Sequence, residues 1–431
     1  VGTLRVGMVG LGVVGGGVAK ILQESAAELA RRSGRRLELT RVAVRDPAKS
    51  RDIALPAGIV TDDLAKVVEG DACDVVIELM GGTTTARDVV LRALANGKSV
   101  VTANKALLAT HGAELFAAAR QAGQTIAFEA AVAGGVPIIA NLSQCLTANR
   151  IESLTAILNG TCNFILSKMH AEGVPYSDVI AEAQRLGYAE ADPAMDVDGT
   201  DTVQKLTILA QLAFGAVADW ATVPRGGIDT LDLADVRFAQ QRGYTIKLLG
   251  VAQSTPTGVQ LRVGPTLVKN ERQLAQVGGA FNAVRVTADA VGELLYYGPG
   301  AGRMPTASAV VADLVDTAVG RARLTFDTLG LWDASAPGPA IASPADAIGR
   351  YYLRVIGDDQ PGVLAQIAGC LAAQGISIAS FLQHEPLTDG KLVPLIITTH
   401  DTTEGAAARA CDKIAALESV QGKPVRLRIA D

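Results

Sequence analysis

Histidine and cysteine are scarce in this chain, and neither is arranged for chemistry. The four histidines, at positions 111, 170, 384 and 400 of 431 residues, stand in no polar, motif-like setting. Five cysteines (Cys73, Cys145, Cys162, Cys370 and Cys411) are odd in number and show no CxxC or CxxH spacing. That argues against a disulfide framework or a zinc site, and for free thiols in a reducing compartment. No apolar run approaches the ~20 residues that cross a bilayer, and a strand-like run begins almost at once with no secretory pattern before it. Basic charge is not in excess: 39 Lys and Arg face 44 Asp and Glu, for a net charge of -5. A nucleic-acid partner would favour a strongly basic face. A cytoplasmic globular protein with no membrane or nucleic-acid partner is expected, of two or three domains at ~150 residues each.

What the chain does have is concentrated. Residues 183–209, AQRLGYAEADPAMDVDGTDTVQKLTIL, hold Glu190, Asp192, Asp196, Asp198, Asp201 and Lys205 within sixteen positions. Asp198 can cap a helix with Asp201 at its third position, and Lys205 follows Asp201 by four residues on the same face. An exposed ion pair of that spacing contributes only about 0.3–0.5 kcal/mol and leaves Glu190, Asp192 and Asp196 without a reason. The stretch therefore reads as a site. A lysine held by carboxylates can donate a proton, and further carboxylates can receive a substrate ammonium. Residues 206–214 are apolar nearly all round, which suggests a buried helix.

The N-terminal third supplies a second site. A β-rich run at 4–9 leads into GLGVVGGGVAKIL, so Gly10, Gly12 and Gly15 form GxGxxG between strand and helix, with Val13 and Val14 in the turn. Such glycines permit the tight turn, the approach of a pyrophosphate and close strand–helix packing, while the helix N-terminus attracts the phosphates. A strand at 38–44 ends in Arg45-Asp46. An acidic residue there would bind a ribose 2′-hydroxyl, whereas a guanidinium suits a 2′-phosphate. Arg45 comes first and points to NADP(H), with NAD(H) open; a surface arginine before Pro47 is the bland alternative. Strand 74–79, the turn from Met80 to Thr83, helix 85–96 and strand 99–102 continue the alternation. A parallel sheet with ligands at its carboxyl ends is implied. Thr83 and Lys105 fall at such ends, although Lys105 reads equally well as an exposed helix-start lysine. After strand 125–129, AAVAGGVPII reads as a sharp turn with Pro137 opening a helix.

A strand at 151–158 ends in NGTCN. Cys162 as a nucleophile would need a base beside it, and no histidine is suitably placed, so the sequence argues against it. A helix at 234–248, strands at 259–267 and 283–288, a glycine-rich loop at 296–302 and a helix at 303–319 follow. SAPGPAIASPADA at 335–347 reads as a flexible linker. Beyond Tyr351 come strand, helix 363–374, strand 376–383, strand 392–400, helix 405–417 and strand 425–429. This βαββαβ order makes a ferredoxin-like module without a catalytic constellation, fit for sensing or assembly. The expected architecture is α/β. It comprises an N-terminal Rossmann-type doubly wound parallel sheet (1–140, completed by a helix at 303–322) and a central α+β catalytic and dimerisation domain (141–330). A linker (331–349) and the ferredoxin-like module (350–431) complete it.

These residues closely resemble the homoserine dehydrogenase family, in its monofunctional form with a C-terminal ACT domain. The signature A-xxx-G, Asp-Pro-xx-Asp, G-x-D-xxx-K is matched by Ala183, Gly187, Asp192, Pro193, Asp196, Gly199, Asp201 and Lys205. GLGVVGGGV, TANKALL, FEAAVAGGVP and NGTCNFIL are similar too, and DDQPGVLAQIAGCLAAQGISIASFLQ resembles the start of an ACT domain. No aspartate-kinase segment precedes the first strand, so the fused form is not expected. The resemblance implies NAD(P)H-dependent interconversion of L-aspartate 4-semialdehyde and L-homoserine, in threonine, methionine and isoleucine biosynthesis. It implies Lys205 as proton donor oriented by Asp201, and Lys105 reaching both cofactor and substrate. Glu190 would bind substrate, with Gly160, Thr161, Tyr188 and Asp196 lining the pocket and Gly302 near the nicotinamide. Backbone carbonyls of Glu129, Val132, Gly134 and Val136 would hold a monovalent cation, Na+. An amino-acid effector such as L-threonine at the ACT domain and a homodimer or homotetramer are implied as well. Cys162 departs from the small polar residue expected there. A cysteine-dependent phosphorylating semialdehyde dehydrogenase and a non-enzymatic amino-acid-sensing regulator are the alternatives.

Overall fold

The computed structural model describes residues 2–189, 192–333, 335, 338–383 and 392–430. Its strands begin with β1 (Thr3–Val9), β2 (Arg36–Ala43), β3 (Val60–Thr61), β4 (Val75–Glu78), β5 (Ser99–Thr102) and β6 (Ile126–Ala127). There follow β7 (Ile151–Ile157), β8 (Tyr244–Thr255), β9 (Gly258–Lys269), β10 (Phe281–Ala288) and β11 (Gly292–Pro299). The chain closes with β12 (Ile348–Asp358), β13 (Ile378–Gln383), β14 (Leu392–Thr399), β15 (Thr402–Thr403) and β16 (Val420–Ala430). Two compact units result, residues 1–158 with 203–223 and 281–340, and residues 159–202 with 224–280 and 341–431.

The first unit contains a parallel sheet in the order β3-β2-β1-β4-β5-β6, the doubly wound order of dinucleotide-binding folds. Its central strands are apolar on both faces: Val6, Met8, Val75, Val76, Ile77, Val100 and Val101 are all buried, as helices on both sides require. One cover is the helix Val13–Glu24, and another is Arg303–Ala318, brought back from far along the chain. Ala307, Val310 and Leu314 of the latter share a core with Leu4, Val6 and Met8. The two helices meet at Gly17, where a Cβ would lie 2.8 Å from the Arg303 carbonyl oxygen. An antiparallel set, β7 and β11 flanking β10, completes the unit. The expected strand at 125–129 is cut short at Ala127, and Glu129–Ala131 is a 3-10 turn. The Glu129 carboxylate accepts from the backbone of Ile139 at 2.9 Å and Ala140 at 2.7 Å, which turns the chain away from the sheet.

In the second unit the strand order is β8-β9-β16-β12-β14-β13. Its last four strands form the ferredoxin-like module. The helices Val363–Ala372 and Glu404–Ala415 lay Ile367, Leu371, Ala410 and Ile414 against Tyr351, Leu353 and Val355. The module is not tethered loosely. β16 runs parallel to β9, pairing Arg428 with Thr266 and Ile429 with Leu267. Ile341 bridges to Val259, and the Ala342 N–H donates to the Val259 carbonyl at 2.9 Å, so part of the segment read as a flexible linker is stitched to β9. Asp235, buried in the capping box of the helix Leu233–Gln241, accepts from the Tyr352 hydroxyl at 2.6 Å and from Arg354 at 2.7 Å. The helix expected over 234–248 is therefore two elements. It stops at Gln241, Gly243 takes a φ of 76°, and β8 carries on from Tyr244.

Candidate active site

In the first unit the cofactor elements are built from backbone. Gly10 has a φ of 101°, and a Cβ on it would sit 2.5 Å from the Leu79 carbonyl oxygen, so only glycine joins β1 to its helix here. A Cβ at Gly15 would sit 2.4 Å from the Gly10 carbonyl oxygen. Gly12, in contrast, has open space, and Val13 beside it is 70% exposed. That is the opening a pyrophosphate needs at a helix N-terminus whose first turn carries no acidic residue. Val14 is half-buried behind it. Thr83 stands at the start of the helix Thr84–Ala95, making no side-chain cap, after Gly81 and Gly82, both at positive φ. Arg45 is exposed just past β2. Gly302, with a φ of 118°, precedes the helix Arg303–Ala318.

Lys105 opens the helix Lys105–Ala122, and residues not singled out from the sequence set its position. The fully buried Glu78 at the end of β4 accepts from the Thr102 hydroxyl at 2.7 Å and the Met80 N–H at 2.9 Å. Thr102 accepts from the Asn104 N–H at 3.0 Å. Asn104 then caps Leu107 and donates to the Gly82 carbonyl at 2.7 Å. The carboxyl ends of β4 and β5 are thus bound together. A charged residue inside the apolar run DVVIEL is the signal that could have pointed to Glu78.

The expected cation segment lies in the same unit. Ala133 and Gly134 both have positive φ, and a Cβ at Gly134 would meet the Gly300 carbonyl oxygen at 2.6 Å. The Val136 carbonyl accepts from Ile138 N–H at 2.7 Å, and Val132 is fully buried. Beneath the segment, the buried Asp313 accepts from the Glu129 N–H at 2.9 Å. Burial pushes the Glu129 carboxyl up to about 7, and burial with the nearby Glu129 raises Asp313 well above the usual carboxylate range. Hard carbonyl oxygens beside buried acids suit a small monovalent cation.

In the second unit the elements expected to line a substrate pocket are built from side chains around Asn159, which is 4% exposed. It caps the helix Gly160–Glu172 by accepting from the Cys162 N–H at 2.7 Å, and it donates to Asp196 at 2.8 Å and Asp201 at 2.9 Å. Three parts of the sequence meet on one amide. Thr161 donates to the Tyr188 carbonyl at 2.6 Å and lies 3.4 Å from Asp196. Tyr188 is half-exposed, its ring 4.8 Å from that of Phe164. A Cβ at Gly160 would sit 2.7 Å from the Ala280 carbonyl oxygen. Asp192 accepts from Ala194 N–H at 3.2 Å, and Glu190 lies outside the described residues. Cys162 is fully buried, its thiol 3.2 Å from the Asp196 carbonyl. Burial and the acids around it push the thiol well above its ordinary value, the opposite of what a thiolate nucleophile needs.

The next helix runs over Thr200–Phe214, and Asp198, expected to cap it, accepts from the Thr200 N–H at 2.7 Å and from the Thr200 hydroxyl at 2.9 Å. Asp201 and Lys205 lie one turn apart on this helix. The Lys205 ammonium donates to the carbonyl of Leu158, the residue before Asn159, at 2.8 Å. Lys247 is a functional-looking residue that the sequence hid inside the misread helix. It is 2% exposed and donates to Asn163 at 3.1 Å and the Val277 carbonyl at 2.5 Å, with burial lowering it to about 8. It braces the helix that Asn159 caps.

Comparison with known proteins agrees with this geometry. Residues 10–129 match the family model described as the NAD binding domain of homoserine dehydrogenase, residues 137–315 match that of homoserine dehydrogenase, and residues 351–416 match the ACT domain. The homoserine dehydrogenase of Pseudomonas aeruginosa is 48% identical over 99% of this chain and 98% of its own length. That of Bacillus subtilis is 40% identical over 97% and 96%. The crystal structure of a homoserine dehydrogenase from Thiobacillus denitrificans superimposes with a TM-score of 0.92 at 46% identity, covering 100% of this chain and 98% of that one. A hyperthermophilic archaeal homoserine dehydrogenase in complex with NADPH covers 73% of this chain and 97% of its own, with a TM-score of 0.61 at 27% identity. With its nicotinamide-binding Rossmann domain and ACT module, the chain belongs to the homoserine dehydrogenase family, oxidoreductases that interconvert L-homoserine and L-aspartate 4-semialdehyde.

Proposed function

We propose that Lys205 is the proton donor of this interconversion, oriented by Asp201, and that Asp196, Thr161, Gly160, Tyr188 and Glu190 hold the substrate. The observation that carries the reading is the double contact of Asn159 with Asp196 and Asp201, next to the Leu158 carbonyl that holds the Lys205 ammonium. An ammonium placed by fixed oxygens stabilises negative charge growing on a carbonyl oxygen, and it takes a proton back when homoserine is oxidised. Asp196 and Glu190 supply negative charge for the substrate ammonium. Lys105 is positioned by Asn104 and Glu78 to serve cofactor and substrate together. A nicotinamide cofactor supplies the hydride when bound; the chain's part is alignment.

Gly10, Gly12, Val13, Val14, Gly15, Thr83 and Gly302 are proposed to contact the cofactor. NADP(H) is the preferred form because Arg45 stands exposed where a 2′-phosphate would lie. The carbonyls of Glu129, Val132, Gly134 and Val136 are proposed to hold Na+. The Val136 oxygen keeps one lone pair for it beside its bond to Ile138. An amino acid such as L-threonine is the proposed effector of the ACT module, and the chain is proposed to act as a homodimer or homotetramer. The decisive experiment follows NADP+ or NAD+ reduction with L-homoserine spectrophotometrically. Turnover with L-homoserine that disappears in Lys205→Ala, with NADPH binding retained, is the expected result; unchanged turnover would refute the mechanism.

A further inference from the structure

Four guanidinium groups converge on a cavity in the second unit where β9 meets the C-terminal module. Its volume is ≈ 170 Å³, against the ~10–15 Å³ that one water needs. Arg225, Gln260 and Arg262 line one side, and Tyr351, Glu404, Arg426 and Arg428 the other. Glu404 is the one carboxylate among the described lining residues, and it is already engaged. The Tyr351 hydroxyl donates to it at 2.7 Å, Arg426 pairs with it at 2.6 Å and Arg428 reaches it at 3.5 Å. Arg426 and Arg428 also stack on the Tyr351 ring, 5.7 and 5.4 Å from its centroid. Arg262 takes no part in this network. Among the described residues it makes no side-chain hydrogen bond or ion pair; burial and Arg428 bring its pKa down to about 10, against the opposing pull of Tyr351 and Glu404.

A guanidinium has five donors and no acceptor, and one partly buried beside a like charge favours an anion on its free donors. We propose that this cavity binds a small oxyanion, a carboxylate or a phosphate, on Arg262. The planar fork of the side chain matches two oxygens of such a group, and Arg225 and Arg428 add to the positive field. A ligand whose recognition depends on an ammonium is disfavoured, because Glu404 already serves Tyr351, Arg426 and Arg428.

The cavity wall also touches the loop that leads to the catalytic helix. Gly226 donates to the Val263 carbonyl at 3.0 Å, and Val263 donates to the Pro224 carbonyl at 3.0 Å. Two residues on, Ile228 donates to the Val197 carbonyl at 2.8 Å, and a Cβ at Gly199 would lie 3.3 Å from the Gly226 oxygen. An anion that orders the Arg225 wall therefore braces residues 197–199, which join Asp196 to the helix carrying Asp201. This coupling rests on the substrate role proposed for Asp196; the binding itself does not.

The test is calorimetric titration of the full chain with inorganic phosphate and with succinate, at ionic strength matched with chloride. One site per chain is expected, and the tighter of the two anions assigns the phosphate or the carboxylate class. Arg262→Gln should weaken binding by about tenfold or more and Arg262→Lys by less, since the lysine keeps charge but loses the fork. Without anion, Arg262→Gln should melt at or above the wild-type temperature, because a partly buried charge beside Arg428 has been removed. No heat beyond the chloride control, unchanged binding in Arg262→Gln, or a lower melting temperature of that variant without anion would each overturn the site. At saturating anion the KM for L-homoserine should fall in the wild type and not in Arg262→Gln. Binding with an unchanged KM overturns the coupling alone, and loss of all homoserine oxidation in the wild type overturns the catalytic reading alone.

Discussion

The elements proposed to hold the cofactor and those proposed to hold the substrate are built from different materials. The former are backbone: Gly10, Gly12 and Gly15 make a shape by leaving side chains out. The latter are a side-chain network whose centre, Asn159, touches Cys162, Asp196 and Asp201. A site made of omitted atoms binds phosphates through fixed N–H groups, so a methyl added at Gly10 or Gly15 distorts it. A site made of side-chain oxygens is tuned by charge, so it fails in degrees. Catalysis is expected to respond to the second kind and cofactor affinity to the first.

The sharpest break is Lys205→Ala. Loss of a positioned general acid should lower kcat by about 10²–10⁴-fold, while the NADPH Kd measured by fluorescence titration stays near wild type. Gly10→Ala should do the reverse. A non-glycine residue forced to positive φ against the Leu79 carbonyl costs about 1–3 kcal/mol, so NADPH affinity should fall by roughly 5- to 150-fold. A variant that binds NADPH normally would show that the glycine is not needed for this turn. Asn159→Ala removes a donor shared by two carboxylates at a cost of about 1–3 kcal/mol. Its signature is a lowered kcat/KM at unchanged NADPH affinity; an altered NADPH Kd would erase the distinction between the two kinds of site.

A smaller effect is expected from pH. Glu129 titrates near 7 in the folded chain against an ordinary 4.5, so folding takes up a proton between those values. The stability due to this group is full below the window and lost as pH rises through about 7. Melting temperature should therefore decline across that range, and less steeply in Glu129→Gln; parallel curves would show that the group titrates elsewhere. Added Na+ should oppose the decline if the neighbouring carbonyls hold the ion. The smallest change belongs to Cys162→Ser, expected to keep turnover within about threefold, because the buried thiol serves only as a weak donor to Asp196. Loss of activity there would revive the thiol-dependent reading.

Legibility followed the same division. The glycine spacing and the alternating strands revealed the parallel sheet except for its two-residue edge strand β3, because omitted side chains and period-two or continuous apolar runs are local patterns. The carboxylate crowding around Asp196 and Lys205 was visible for the same reason. Asn159 was passed over, since an asparagine before glycine reads as a turn and its partners lie 37 and 42 positions away. Residues 234–248 misled because the apolar run IKLLGV fits either period, and the break at Gly243 counts only once β9 is there to pair. The Pro-, Ala- and Ser-rich segment after Ser335 read as slack, whereas Ile341 and Ala342 are held by Val259.

By itself, the sequence determined the doubly wound sheet, the ferredoxin-like module and the family, and it pointed to the acids and lysine of the proposed site, since each is written in residues close together. Only the tertiary structure decided that Asn159 gathers those acids, that Cys162 is sealed from water, that β16 binds β9 and that Arg262 shares a cavity with three further arginines. Hydrogen bonds and charges act over a few ångströms of space, whatever their separation along the chain. The carboxylates announced that a site was present; what each one holds depended on neighbours the chain folds back to provide.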